Sequence, residues 1–165
     1  MKSQAPAPPP PSSWLKDPPA WAGLAARVLG GAVLIVAGTL KAAAPAEEFA
    51  VVIEAYHLVS PDAALSLATF MPWAELLVGY SLIFGYLTRP AAIAAALLQL
   101  SFIGALAWTK AQGIELPNCG CFGAGWHPSP GTTMALDAVL TVLAYVSLRS
   151  GSSLLSLDNW VGRKA

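Results

Sequence analysis

The chain has 165 residues, 56% hydrophobic and only 11% charged, with nine basic and nine acidic side chains that cancel. Soluble domains carry roughly 25% charged residues, so this is the composition of a membrane protein forming one domain or one compact bundle. Zero net charge without a basic patch argues against nucleic acid as a partner. Two cysteines cannot build a disulfide scaffold, and the phosphate-loop, zinc-protease, serine-hydrolase and dinucleotide motifs are absent.

Residues 1–19 hold seven of the fourteen prolines, four of them consecutive at Pro8-Pro9-Pro10-Pro11. Residues 1–20 are therefore predicted as an extended, disordered arm, with polyproline recognition as the alternative. Four apolar segments follow, from about Ala22 to Ala44, Ala63 to Thr88, Pro90 to Thr109 and Thr132 to Leu148. Each is near the roughly 20 residues that cross a bilayer as a helix, and none alternates as a barrel strand would. The predicted fold is an all-α integral membrane protein, a four-helix transmembrane bundle over residues 21–150.

Arg27 and Lys41 flank the charge-free core of the first span and are expected to snorkel toward the membrane surfaces. The small residues Ala42-Ala43-Ala44-Pro45-Ala46 leave signal-peptide cleavage as the alternative to a retained span. Pro45 to Val59 is predicted as a short interfacial helix. Glu47 and Glu48 lie in its first turn, and Phe49, Ile53 and Tyr56 share one face. Residues 151–165 are predicted as a short amphipathic tail, with Leu154, Leu155, Leu157 and Trp160 ahead of Arg163 and Lys164.

Cytoplasmic loops carry the excess of lysine and arginine. With four spans, Lys2, Lys16, Arg27, Arg89, Arg149, Arg163 and Lys164 fall on one side, and Lys41 and Lys110 on the other. Both termini are thus expected in the cytoplasm. The loop between the third and fourth spans then faces outward, where disulfides persist.

That loop contains Leu116-Pro117-Asn118-Cys119-Gly120-Cys121-Phe122-Gly123, with both cysteines of the chain. Thiol–disulfide exchange needs two sulfurs that can meet, one of them accessible to a partner thiolate. A ring closed between positions i and i+2 is strained, hence easily reduced and oxidising. Gly120 relieves part of the backbone cost, and Gly123 and Gly125 are expected to keep the surroundings open. The alternative is a buried or inert clasp. A metal site would need more ligands than His127 alone adds.

Three charged residues are predicted to meet beneath this loop: Lys41, Glu75 about 15 Å in from the outer end of its helix, and Asp137. Such a network either tunes thiolate formation and moves protons or clamps the helices together. Gln99 reads as an interhelical hydrogen-bonding group. Pro72 would kink the second span and open a lateral pocket that a quinone can use. Trp73, Trp108 and Trp126 belong to the membrane interface, and His57 to the surface.

The pattern Arg27, Gly38, Lys41, Pro45, Phe49, Tyr56, Pro61, Pro72, Glu75, Gly79, Arg89 and Cys119-Gly120-Cys121-Phe122-Gly123 resembles the DoxX-like membrane proteins, specifically their methylamine utilisation MauE branch. The resemblance covers about residues 24–148. It implies a four-helix bundle in the cytoplasmic membrane. It also implies a role in making the disulfide-rich β-subunit of methylamine dehydrogenase, together with a thioredoxin-like partner. The chain departs from the family where an Arg-Asp pair often opens the last helix, since Leu136 precedes Asp137 here.

Two cysteines cycling between dithiol and disulfide would make the protein a membrane thiol–disulfide oxidoreductase. Its partners would be an extracytoplasmic thioredoxin-like protein, a secreted disulfide-containing client and membrane lipid. No residue demands a cofactor. A membrane quinone is the candidate electron partner, by analogy with other four-helix thiol oxidoreductases. The alternatives are a non-enzymatic assembly factor with a static cysteine pair and a small transporter coupled through Glu75.

Overall fold

A computed structural model describes residues 18–114, Leu116, 119–122, 129–150 and 156–158. The proline-rich arm up to residue 17 lies outside the described residues, as do Gly123, Gly125, Trp126, His127 and the tail residues Leu154, Leu155, Trp160, Arg163 and Lys164. The described residues are helical and contain no strand: α1 (Pro18–Ala42), α2 (Ala46–Glu54), α3 (Pro61–Phe84), α4 (Thr88–Ala111) and α5 (Pro130–Arg149). Four of them, all except α2, are long and apolar enough to cross a membrane.

The helix ends follow local chemistry. Pro61 and Pro130 sit in first turns, where a missing amide proton costs nothing. Ser129 accepts a hydrogen bond from the Thr132 amide at 3.3 Å and caps α5. Gly85 ends α3 in the left-handed region at φ 64°. The interfacial helix α2 is shorter than the predicted Pro45–Val59; it stops at Glu54, and His57 beyond it adopts φ 53°.

Each long helix touches two others, so α1, α3, α4 and α5 close a four-membered ring, and α2 packs on α3. The tightest seam joins α1 to α3. A Cβ on Gly31 would lie 2.7 Å from the Gly79 carbonyl oxygen, and one on Gly38 would lie 2.8 Å from the Pro72 carbonyl oxygen. Without a hydrophobic force between helices in lipid, small residues that admit close backbones hold spans together.

The far end of the bundle is closed by the chain's C-terminal segment. The Leu87 and Thr88 amides donate to the Asp158 carboxylate at 2.8 Å each. The Ser156 hydroxyl and the Asp158 amide both donate to the Gly85 carbonyl. Asp158 therefore serves the start of α4 as a capping residue supplied from 70 positions away. Burial pushes its carboxyl up, but the Thr88 and Leu87 hydrogen bonds and nearby Arg27 hold it below the usual carboxylate range. Arg27 does not snorkel into solvent as expected. It is 1% exposed, covered where Gly85 and Ser156 meet it.

Gly79→Ala tests the seam. Its Cβ would sit 2.8 Å from the Gly31 carbonyl oxygen, so the helices must part, at a cost of about 1–3 kcal/mol. The expected result is a clearly lower melting temperature in detergent. Gly104→Ala, where a Cβ meets nothing within 4 Å, should leave it unchanged.

Candidate functional site

Lys41 ends α1, yet its side chain runs back into the bundle. The glycine contacts set α1 and α3 antiparallel with Gly31 level with Gly79 and Gly38 level with Pro72. Lys41 is then level with Thr69, about 9 Å above Glu75 at the helix rise. Helical side chains tilt toward their own N-terminus. In an antiparallel pair that sends Lys41 down and Glu75 up, and they meet at 2.5 Å between Nζ and Oε1. Both side chains are enclosed, at 0% and 2% exposure. The predicted snorkelling of Lys41 is therefore corrected: the tilt that would help a residue near a helix N-terminus works against one at the C-terminus.

The ammonium also lies 5.4 Å from the Phe49 ring centroid on α2 and 4.9 Å from that of Phe102 on α4. Such cation–π contacts strengthen when desolvated. One charge thereby touches four helices.

The segment 119–122 dips into the end of the bundle. Cys119 packs with Tyr56 and Leu106, and Cys121 and Phe122 pack with Ala37, Val33, Phe102 and Leu136. Irregular backbone at this depth is tolerated where protein encloses it. The expected open, accessible loop is not what these residues form: Cys119 is 1% exposed and Cys121 7%. The interfacial helix causes this. The Tyr56 hydroxyl donates to the Cys119 carbonyl at 2.6 Å. Gly120 turns at φ 72° beneath Val52 and Phe49, where a Cβ would fall 2.8 Å from Val52 Cγ1. Only glycine fits that position.

Neither cysteine is in a disulfide. The Cys121 sulfur lies 3.9 Å from Asp137 Oδ2, a weak hydrogen bond from thiol to carboxylate. Glu75, Gln99, Cys121 and Asp137 share a cavity of about 10 Å³, near the room one water needs. The predicted group of Lys41, Glu75 and Asp137 thus converges beneath Cys121, while Cys119 stands apart against Tyr56. Burial pushes the Cys121 thiol well above its ordinary range; Asp137 adds to the shift and Lys41 opposes it. Burial also raises Cys119, partly offset by the Thr133 hydroxyl. Burial raises Tyr56 likewise, which keeps its proton on the Cys119 carbonyl.

Sequence reasoning did not find two features beside the site. A cleft of about 450 Å³ lies between the ends of α4 and α5, walled by Leu106, Leu116 and Met134, which also pack around Cys119. A second, of about 120 Å³, opens among α2, α3 and α4 and has Cys119 in its wall. The lateral position expected for a pocket near Pro72 was the one signal for it, since Met71 lines this cleft.

Four long apolar helices around a buried Cys-Gly-Cys turn and an intramembrane Lys–Glu pair define a small multi-pass membrane protein with a thiol pair at one end of its bundle. The comparisons with known proteins agree. Residues 19–150 match the model of the family described as methylamine utilisation protein MauE, and the chain belongs to that family. It is 35% identical, over 114 residues, to the methylamine utilization protein MauE of Paracoccus denitrificans. That match covers 68% of this chain and 61% of the relative. No solved structure matches.

Two measurements probe the site. Lys41→Met strands a buried carboxylate and should cost about 3–5 kcal/mol; adding Glu75→Gln should restore most of the lost thermal stability, which a merely bulky contact would not. Because both thiols are pushed up, they stay protonated at neutral pH. Alkylation of the folded protein should be far slower at pH 7 than that of the denatured chain, and should accelerate only as pH rises past the ordinary thiol range of about 8.5.

Proposed function

We propose that Cys119 and Cys121 form a thiol–disulfide centre that serves maturation of a secreted, disulfide-containing client in methylamine utilisation, through a thioredoxin-like partner. The contact between the Cys121 thiol and Asp137 carries this reading. A thiol pair needs a thiolate to react, and a carboxylate 3.9 Å from sulfur offers its proton a place to go, with Lys41 nearby to offset the charge that results. The family and its relative's name support the pathway. The methylamine dehydrogenase β-subunit is the client that the family resemblance implies.

In the proposed cycle, the reduced partner presents two thiols to a Cys119–Cys121 disulfide. One partner thiolate attacks a sulfur of that bond, and a mixed disulfide forms as the S–S bond opens. The second partner thiol resolves it. The partner leaves oxidised, with one new S–S bond, and this chain gains two electrons and two protons as the dithiol. The 450 Å³ cleft beside Cys119 supports docking at this end. The expectation that this end faces outward is supported by the exposed cations. Arg89 and Arg149 lie at the opposite end and Lys110 at this one, while Lys41 is neutralised by Glu75.

The burial of both cysteines favours a second reading, a non-enzymatic assembly factor in which they are a static clasp. Acid trapping in cells followed by alkylation and mass shift separates the two. Exchange predicts a mixture of dithiol and disulfide that moves toward disulfide when the thioredoxin-like partner is deleted. It also predicts that Cys119→Ser or Cys121→Ser abolishes accumulation of the mature client. Thiols that never change state, with client maturation intact in the double serine variant, would leave only the assembly factor.

A further inference from the structure

Thr133, near the start of α5, directly precedes Met134, which packs on Cys119. Resting on the exchange reading above, we infer that the Thr133 hydroxyl is the donor that holds the Cys119 sulfur when it carries negative charge, so that Cys119, and not Cys121, is the sulfur that bonds to the partner.

A serine or threonine inside a helix can turn its hydroxyl back to the carbonyl four residues earlier. Ser66, Thr69, Thr141 and Ser147 all do so here. Thr133 does not. It is 1% exposed, yet its hydroxyl has no hydrogen-bond partner. A buried donor left unsatisfied is destabilising, so its presence in a packed bundle has a reason.

Cys119 supplies that reason. The hydroxyl eases loss of the Cys119 proton against the effect of burial, which puts it beside that sulfur. A neutral thiol is a weak acceptor and does not satisfy a hydroxyl. A thiolate is a strong one, and a hydrogen bond to an ionised group is roughly twice as strong as a neutral one. The donor is therefore unengaged in the dithiol and engaged once charge develops on sulfur, which favours the reaction over the ground state.

Among the described residues, the titratable groups around Cys119 are Tyr56, Cys121 on the same turn and Asp137 on α5. The Tyr56 hydroxyl is spent on the Cys119 carbonyl, and Asp137 opposes a thiolate at Cys119. From α4, Leu106 and Ala105 bring no charge. Thr133 is thus the donor left for this sulfur. Cys121 has the opposite surroundings: its sulfur meets the Asp137 carboxylate at 3.9 Å and the Cys119 carbonyl at 4.0 Å, both acceptors. Cys119 also stands in the wall of the cleft among α2, α3 and α4, which Cys121 does not line.

In the proposed cycle the first partner thiolate then attacks the Cys119 sulfur. A partner–Cys119 bond forms as the Cys119–Cys121 bond breaks. The electron pair of the broken bond goes to Cys121, which takes up the proton that the first partner thiol gave up. The second partner thiolate attacks the first partner sulfur, and the mixed disulfide breaks with its electron pair passing to Cys119. Thr133 holds this thiolate until it takes the second proton.

The experiment uses the full chain, reduced and purified in detergent, with dithiodipyridine, an aromatic disulfide that releases absorbing thiopyridone when a thiolate attacks it. In a Cys121→Ser chain the remaining thiol is Cys119. Thr133→Val there removes the donor and keeps the shape. It should slow thiopyridone release about tenfold at pH 7 and move the pH midpoint of the rate up by about one pH unit, while Thr133→Ser restores both. Because valine removes an unpaired buried hydroxyl, the melting temperature should hold or rise; a clear fall would show a structural hydrogen bond and overturn the assignment. In a Cys119→Ser chain, Cys121 should react about tenfold more slowly than Cys119 and ignore Thr133→Val. If folded Thr133→Val keeps the original pH profile, or Cys121 is the faster thiol, the role of Thr133 is wrong and the exchange reading stands on its own test of client maturation. If neither thiol of the folded, unsubstituted chain reacts even as pH rises past the ordinary thiol range, both are wrong.

Discussion

A lysine and a glutamate shut away from water inside a bundle must meet, because either alone leaves a buried charge costing several kcal/mol. Lys41 and Glu75 meet at 2.5 Å, and much else follows from where. The pair fixes the rotation of α1 against α3, whose close approach the glycines at 31, 38 and 79 allow. The same ammonium is flanked by Phe49 and Phe102, so α2 and α4 are set by it as well. Phe49 in turn covers Gly120, and Tyr56, one face along from Phe49, holds the Cys119 carbonyl. The position of the thiol turn is thus tied to the ion pair through two aromatic side chains.

That dependence gives the thiols an unusual setting. Reactive cysteines are commonly exposed and electropositive. These are buried, with raised thiols and a carboxylate as nearest polar neighbour to Cys121. In the proposed cycle, reaction with a protein partner requires Tyr56, Val52 and Phe49 to lift off residues 119–120, and α2 is short, nine residues long, and packed mainly on α3. Reactivity in the proposed cycle is then governed by access more than by thiol acidity.

The sequence made the framework legible because bilayer length and hydropathy are strong, local signals. All four spans appear within a few residues of their expected ends, and the family resemblance is borne out by the family match. What sequence could not supply was direction. Lys41 stands at a helix end, where composition alone predicts snorkelling; only the antiparallel register with α3 shows that its tilt points inward. Arg27 has the same tilt, which near the start of α1 carries it to its own end of the bundle, but it is covered by a segment more than 120 residues later in the chain. Ser156 and Asp158 read as ordinary tail residues, since nothing local reveals that their partners are the carbonyl of Gly85 and the amides of Leu87 and Thr88. The cysteine turn carried glycine and proline, the usual marks of an exposed loop. Yet Gly120 is there to let α2 press upon the turn, which is the opposite function.

Cys119 lies between two clefts that differ in the company they admit. One, at the end of α4 and α5, has Lys110 and Thr109 in its rim and suits a polypeptide; the other is apolar and faces the bilayer. The packing of Tyr56, Leu106 and Cys119 stands between the two. Cys119 lines the apolar cleft and packs against Leu106, Leu116 and Met134 in the wall of the other, and Cys121 lines neither. Cys121 instead shares a small cavity with Glu75, Gln99 and Asp137. In the proposed cycle the two sulfurs thus stand in different surroundings: Cys119 at a cleft wall, and Cys121 beside the Asp137 carboxyl group.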